Sequence, residues 1–505
     1  MVKLPRQPRR HEVVTRATAS LLAVGCLAFV GLSLPAGSYA PAVEGAPTPF
    51  RWDAASLFEQ LEIEFDAVRA LPLAEARTRA DALEVTGASL LERVAAAHLA
   101  PLEDLGLLAA LQFQYAVLGA AHPTLLGPAE SFINRSRITV MRSAAAWPAD
   151  RATHEGVYRV LFGGRIALEE ALVQAGPVLS ELMEVESIPS ATPSLEVQGV
   201  RVHSGDILLS RGGAPTSALI ARGSDFANTF SHAALAHVDP ETGVGTVVES
   251  LIETGTVLTS VEEYLEGKKH RILVLRLRPD HSVDDPLLPH RAATRMLEQL
   301  RDNPADYDFG MAWHDPERMF CSEVIYHAYA PEGVELWSHR SAMTSSGLVR
   351  WLASLGVREF RTLVPSDLEY DARLGAVVEW RNLEALTDYR LDNAITDVLL
   401  EEADRGADLE YRWFALPATR LLKGASVVLG MLGWSPVIPT GMSTDAALRI
   451  RALVSEVSPT MKATLIERER DFEQANGFRA PYWTLVELAR ASLEDNREVL
   501  GASLR

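Results

Sequence analysis

An α+β fold, with a compact strand-containing core between two all-helical regions, is what this sequence predicts. Three observations carry the prediction. Apolar residues recur at spacings of three and four on both flanks, the period of a helix. Between the flanks lie short β-rich runs separated by turn residues. The 505-residue chain is 48% hydrophobic and 23% charged, the balance of a folding chain with length for roughly three domains.

The N-terminus stands apart from this plan. Lys3, Arg6, Arg9, Arg10 and Arg16 precede an uncharged run over residues 17–34 and the small-residue site Ser38-Tyr39-Ala40. Residues 1–40 therefore read as an export signal cleaved after Ala40. An uncleaved anchor is the alternative, because the run reaches the lower length limit for spanning a bilayer. A lipoprotein reading through Cys26 lacks the expected leucine in Ala23-Val24-Gly25, and Arg9-Arg10 is followed by His11 and Glu12 rather than by apolar residues.

The chain carries a net charge of −19, and cleavage leaves 43 basic against 66 acidic residues, or −23. That balance argues against general affinity for nucleic acid or for an anionic membrane, since both need clustered Lys and Arg and no basic stretch in the body offsets it. Of the two cysteines, Cys26 falls within the signal, so the exported chain keeps Cys321 as its single thiol and forms no internal disulfide.

Residues 41–183 form the first helical region. After a Pro-containing lead-in to residue 50, Leu57, Leu61, Phe65 and Val68 share a helical spacing, as do Leu108, Leu111, Tyr115 and Leu118. Residues 184–198, with Ile188-Pro189-Ser190 and Thr192-Pro193-Ser194, have linker composition. The core is expected over 199–364. Its strands are read at 206–210, 233–238, 245–252 and 271–277. One helix follows on Leu288, Ala292, Met296 and Leu300, and a second on Cys321, Val324, Ile325 and Ala328, stopping at Pro331. Residues 365–505 return to helical patterning. Within them, the apolar segment 424–434 is expected to be a buried helical hairpin, with a lipid-contacting lid as the sharper alternative.

Three strings in the core bear on chemistry: Ser204-Gly205-Asp206 before a strand, Phe230-Ser231-His232 opening the next, and Phe320-Cys321-Ser322-Glu323 opening a helix. A thiol nucleophile needs an imidazole partner and gains acidity at a helix N-terminus. The imidazole in turn needs a polar group on its other nitrogen. Glu249 on the following strand suits that third role, and Glu253, of the same parity, competes for it. His237 has the opposite parity from His232 and should face away from a shared site. Asp206 reads as a turn-capping residue. Asp308, His314, Asp315 and His327 match no zinc or calcium spacing, and Gly212-Gly213 lacks the lysine of a phosphate loop, so no metal or other cofactor is expected.

In this order the strings resemble the circularly permuted branch of the papain-like, NlpC-type thiol hydrolases, the group of YiiX-like proteins and lecithin-retinol acyltransferase relatives. Gly205-Asp206, Ser231-His232, Glu249 and Cys321-Ser322-Glu323 carry the resemblance, together with Tyr307-Asp308-Phe309 ahead of the cysteine. It implies a permuted papain-like core in which Cys321 is the nucleophile, His232 the general base and Glu249 its orienting partner. It also implies a bacterial, exported hydrolase or acyltransferase of the periplasm or cell envelope. Two substrate classes follow, a cell-wall peptide amide or a lipid acyl group, with peripheral membrane contact in view. The Cys321 backbone N–H is the expected oxyanion donor. A helical scaffold that keeps the core without turnover is the competing reading, motivated by the long helical flanks.

Overall fold

The computed structural model describes residues 32–34, 48–52, 54–176, 178–267, 269–431, 434 and 436–505. Except for residues 32–34, the expected signal, with its cleavage site and Cys26, lies outside the described residues.

Five helices come first: α1 (Ala54–Arg69), α2 (Leu73–Ala96), α3 (Leu102–Ala121), α4 (Leu126–Ala144) and α5 (Arg151–Ala175). Leu108, Tyr115 and Leu118 of α3 are buried against Val157, Tyr158 and Leu161 of α5, so the apolar stripe read at helical spacing is the seam of this bundle. Asp150 caps α5 by accepting the Thr153 N–H at 2.8 Å, satisfying one donor that a helix start leaves open.

The sheet comprises β1 (Leu182–Glu184), β4 (Ile207–Gly212), β5 (His232–Val238), β6 (Gly245–Leu251), β7 (Gly255–Ser260), β8 (Lys269–Leu277) and β9 (Leu374–Arg381), while β2 (Ser194–Val197) and β3 (Val200–His203) form a separate hairpin. Its order is β1-β9-β8-β4-β5-β6-β7, and every pairing is antiparallel. The core interleaves α6 (Pro215–Arg222), α7 (Val261–Glu266), α8 (Leu288–Asp302), α9 (Cys321–Tyr329) and α10 (Ser346–Leu355). Strand alternation sorts the interior into two layers. Ile207, Leu209, Ala233, Leu235 and Val248 pack under Met296 of α8 and Val324 and Ile325 of α9. Leu208, Ala234, Ala236 and Val247 face the other way, under Val261 and Tyr264 of α7.

Two expected boundaries move. The core does not end at residue 364, because β9 lies beyond it and pairs with β8 from Leu374↔Leu277 to Arg381↔Arg271. The stretch 184–198 is not a plain linker either, since it closes β1 on β9 and supplies β2. In both cases the ordering force is pairing with a strand elsewhere in the fold, which local composition does not reveal.

The remaining helices are α11 (Leu386–Asp404), α12 (Leu416–Met431), α13 (Thr444–Ala452), α14 (Ser458–Asn476), α15 (Tyr482–Asp495) and α16 (Arg497–Leu500). Leu391, Ile395 and Val398 of α11 share an apolar cluster with Trp351 of α10, Leu465 of α14 and Leu485 of α15. The N-terminal bundle meets the sheet differently, through buried ions. Arg137 reaches Glu379 and Glu369 at 2.8 Å each, Arg165 reaches Glu369 at 2.7 Å, and Arg271 reaches Glu379 at 2.5 Å.

Candidate active site

Cys321 is the first residue of α9, where the leading N–H groups have no acceptor within the helix and their dipoles favour negative charge. The start of that helix is held from two sides. The Glu323 carboxylate reaches back to accept the Phe320 N–H at 2.7 Å, and the Ser250 hydroxyl of β6 donates to the Met319 carbonyl at 2.5 Å. At the far end, the Tyr329 hydroxyl donates to the Gly205 carbonyl at 2.5 Å. Gly205 has φ +96°, and a Cβ there would lie 2.4 Å from Pro289, so only glycine permits this approach. Its neighbour Asp206 accepts the His203 N–H at 2.8 Å and pairs with both arms of Arg276 at 2.8 and 2.7 Å. The Gly-Asp string is thus a clamp on the helix that carries the thiol.

His232 opens β5 and pairs across the ladder with Ser210. Its Nε2 lies 2.7 Å from Glu249 Oε2. The ring also lies near enough to the Cys321 thiol for each to move the other's pKa. With Nε2 taken by the carboxylate, the Nδ1 side is left for sulfur. Glu249 receives a second bond at its other oxygen, from the Thr259 hydroxyl at 2.9 Å. Thr259 faces Val247 in the β6–β7 register, a diagonal neighbour on the same face as Glu249. Of the three expected residues, His232 and Glu249 are hydrogen-bonded, and Cys321 interacts electrostatically with the same ring.

The electrostatics follow from that arrangement. Burial pushes the Cys321 thiol up, but the His232 ring, with the Ala233 N–H, outweighs it and leaves the pKa below the ordinary thiol value. Burial alone would lower His232, yet its interactions with Cys321 and Glu249 raise it to about 9. Burial would raise Glu249, and the His232 hydrogen bond turns that into a lowered pKa. Both shifts run toward a thiolate beside an imidazolium, the direction that makes a thiol more reactive. Cys321 is buried, at 6% exposure, and the His232 side chain is 18% exposed.

The competing residues fall elsewhere. Glu253 is exposed in the turn between β6 and β7, whereas the carboxylate bonded to His232 is that of Glu249. His237 points to the opposite layer, with Nε2 3.2 Å from the Thr294 hydroxyl and its ring 5.4 Å from that of His290. Asp308 accepts the N–H groups of Gly310 and Ala312 at 2.8 and 2.6 Å, shaping the loop ahead of α9. Tyr307 lies beside the thiol: burial first, then the charge of Cys321, pushes its phenol far above the usual range. Sequence reasoning did not single out Thr259 or Ser250. Both act through strand register, and β7 carries no pattern that announces it. Among the described residues no group of three or more His, Cys, Asp or Glu is placed to hold a metal ion. A cavity of ≈ 930 Å³ between α1, α3, α5, α11 and α15 includes Thr229 but neither Cys321 nor His232.

Residues 201–378 match the model of a family described as permuted papain-like amidase enzyme, YaeF/YiiX, C92 family. The core is a permuted papain-like domain. The matched span runs from β3 to β9, so it takes in the strand that extends the core past residue 364. The family is one of amidases, which places this domain among hydrolases. Among solved structures, the chain is similar to the metalloprotein yiiX from Escherichia coli O157:H7, at 18% identity over 34% of this chain and 95% of that one, with a TM-score of 0.28. No curated protein matches.

Proposed function

We propose that the permuted papain-like domain is a thiol amidase or acyl-transferring enzyme with a Cys321-His232-Glu249 triad, exported to the periplasm or cell envelope. The observation that carries the proposal is the His232–Glu249 hydrogen bond at 2.7 Å, with the same ring lowering the pKa of a thiol at a helix N-terminus. In the first step the Cys321 thiolate attacks the substrate carbonyl carbon, forming a C–S bond and a tetrahedral oxyanion. The Cys321 N–H, unpaired within its helix, is the donor offered to that oxygen. His232 then gives its proton to the leaving amine or alcohol as the C–N or C–O bond breaks, leaving a thioester. Next, His232 takes a proton from water or from an acceptor hydroxyl or amine, which attacks the thioester and releases the thiolate. Glu249 stays ionised throughout and holds the imidazole in register.

Export is supported by the basic N-terminus, the uncharged run and the small-residue site. Two substrate classes suit that compartment, a cell-wall peptide amide and a lipid acyl group. The test is covalent labelling with an electrophilic acyl probe. Wild-type protein should be labelled at Cys321 and Cys321→Ala should not. Labelling that persists in the variant overturns the nucleophile, and an inert wild-type thiol favours the scaffold reading.

A further inference from the structure

Of the described large hydrophobic side chains, the most exposed group in sequence lies around α12. Trp413, Phe414, Leu421, Val428, Trp434 and Val437 are between 56% and 68% exposed. Leu421 and Val428 are seven residues apart, which sets them on one face of the helix, and Phe414 lies in the 3-10 turn that precedes it. The face is not the buried hairpin that the apolar composition suggested. Single exposed hydrophobics are ordinary on any protein, but a contiguous set on one element marks a contact surface.

Charge narrows the partner. Residues 412–444 contain Arg412, Arg420 and Lys423 and no Asp or Glu, in a chain whose net charge is −19. Cations beside apolar side chains and two tryptophans are the composition of an element that lies in the bilayer interface. The end of the uncharged N-terminal run is also here: the Leu34 carbonyl accepts from Arg420 Nη2 at 2.6 Å. The loop that follows the helix packs on residues adjoining the site. Ile438 and Met442 pack with Ile252 and Phe309, and a Cβ on Gly441 would lie 3.3 Å from Phe309 and 3.5 Å from the Tyr307 carbonyl. Ile252 follows the strand that carries Glu249, and Tyr307 borders Cys321. Lys423 Nζ donates to the Met442 carbonyl, tying the helix to this loop.

We propose that Trp413, Phe414, Leu421, Val428, Trp434 and Val437 seat the protein on an anionic lipid bilayer and hold the Cys321 site against it, so that the substrate is an amide or ester carried by an amphiphile of that bilayer. The choice of substrate rests on the thiol-hydrolase reading, whereas the docking does not.

The experiment uses the full chain with vesicles of phosphatidylcholine and phosphatidylglycerol bearing brominated acyl chains, and reads tryptophan quenching. Wild type should be quenched, and a Trp413→Phe/Trp434→Phe variant should lose that quenching. Leu421→Glu/Val428→Glu should lose it as well while keeping normal iodoacetamide alkylation of Cys321. Omitting phosphatidylglycerol should weaken the quenching at low salt. Equal quenching in wild type and the glutamate variant overturns the proposal, as does an absence of quenching in wild type. Quenching with an inert Cys321 upholds the docking and sinks the thiol reading alone.

Discussion

Beside the Cys321-His232-Glu249 site, the cluster of Arg137, Arg165 and Arg271 on Glu369 and Glu379 makes an instructive contrast. Both bury ionisable groups contributed by elements far apart in sequence. In the arginine cluster the protons are fixed. Burial would raise Glu379, but Arg165, Arg271 and Arg137 hold it far below the carboxylate range; burial would lower Arg165, and the two carboxylates hold it far above its usual value. In the triad the thiol comes down and the imidazole comes up to about 9, so one proton is shared between two groups that both titrate. A cluster that fixes geometry locks its charges in place, whereas one suited to chemistry keeps a proton transferable.

The contrast can be broken at either end. Replacing the nucleophile has the largest expected effect: Cys321→Ala should cut turnover on the order of 10⁶-fold, measured on any acyl substrate that the wild type cleaves. Glu249→Gln keeps the shape and removes the charge, and should cost roughly 10²- to 10⁴-fold. Its diagnostic readout is the pH profile. Activity needs the thiol deprotonated and the imidazole protonated, so it should rise as Cys321 ionises and fall as His232 loses its proton near pH 9. Without the Glu249 charge that alkaline limb should move to lower pH. A role that is merely structural would reduce the rate and leave the limb in place.

On the other side, Arg165→Met should destabilise the fold by about 3–5 kcal/mol in urea unfolding, because Glu369 and Glu379 lose a buried partner. Cys321 alkylation in the folded variant should be unchanged. Glu323 falls between the two cases: burial raises its carboxyl to about 7 from 4.5. A folded pKa above the unfolded one means stability fully present below pH 4.5 and lost as pH rises through 7. Glu323→Gln should flatten that slope in a pH series of thermal melts. Glu253→Gln sits at the bottom of the scale, with stability within about 0.5 kcal/mol of wild type and the rate unaltered.

Much of the site could be read before any coordinates. A thiol opening a helix, a histidine opening a strand and a glutamate at matching parity are local patterns, and His232 and Glu249 are hydrogen-bonded as their parity implies. The α+β class and the helical flanks were equally legible, since periodicity records which face is buried. What escaped were features whose cause is remote. β9 is ordered by β8, nearly a hundred residues away, and its run Ala376-Val377-Val378 before Glu379-Trp380 is as compatible with a buried helix as with a strand. Arg137 and Arg165 look like solvated helix charges until Glu369 and Glu379 are placed opposite them. Thr259 could not be found without the β6–β7 register. The segment around 424–434 has the composition of an interior, and only packing reveals that Val427, Val428 and Trp434 are exposed.

The helix bearing Cys321 is fastened at its head to β6, through Ser250, and at its tail to the turn before β4, through Tyr329 and Gly205. Such a helix has no loose end by which to fray. Heat should therefore leave reactivity intact until the sheet itself gives way, and loss of thiol reactivity should coincide with the melting of the core.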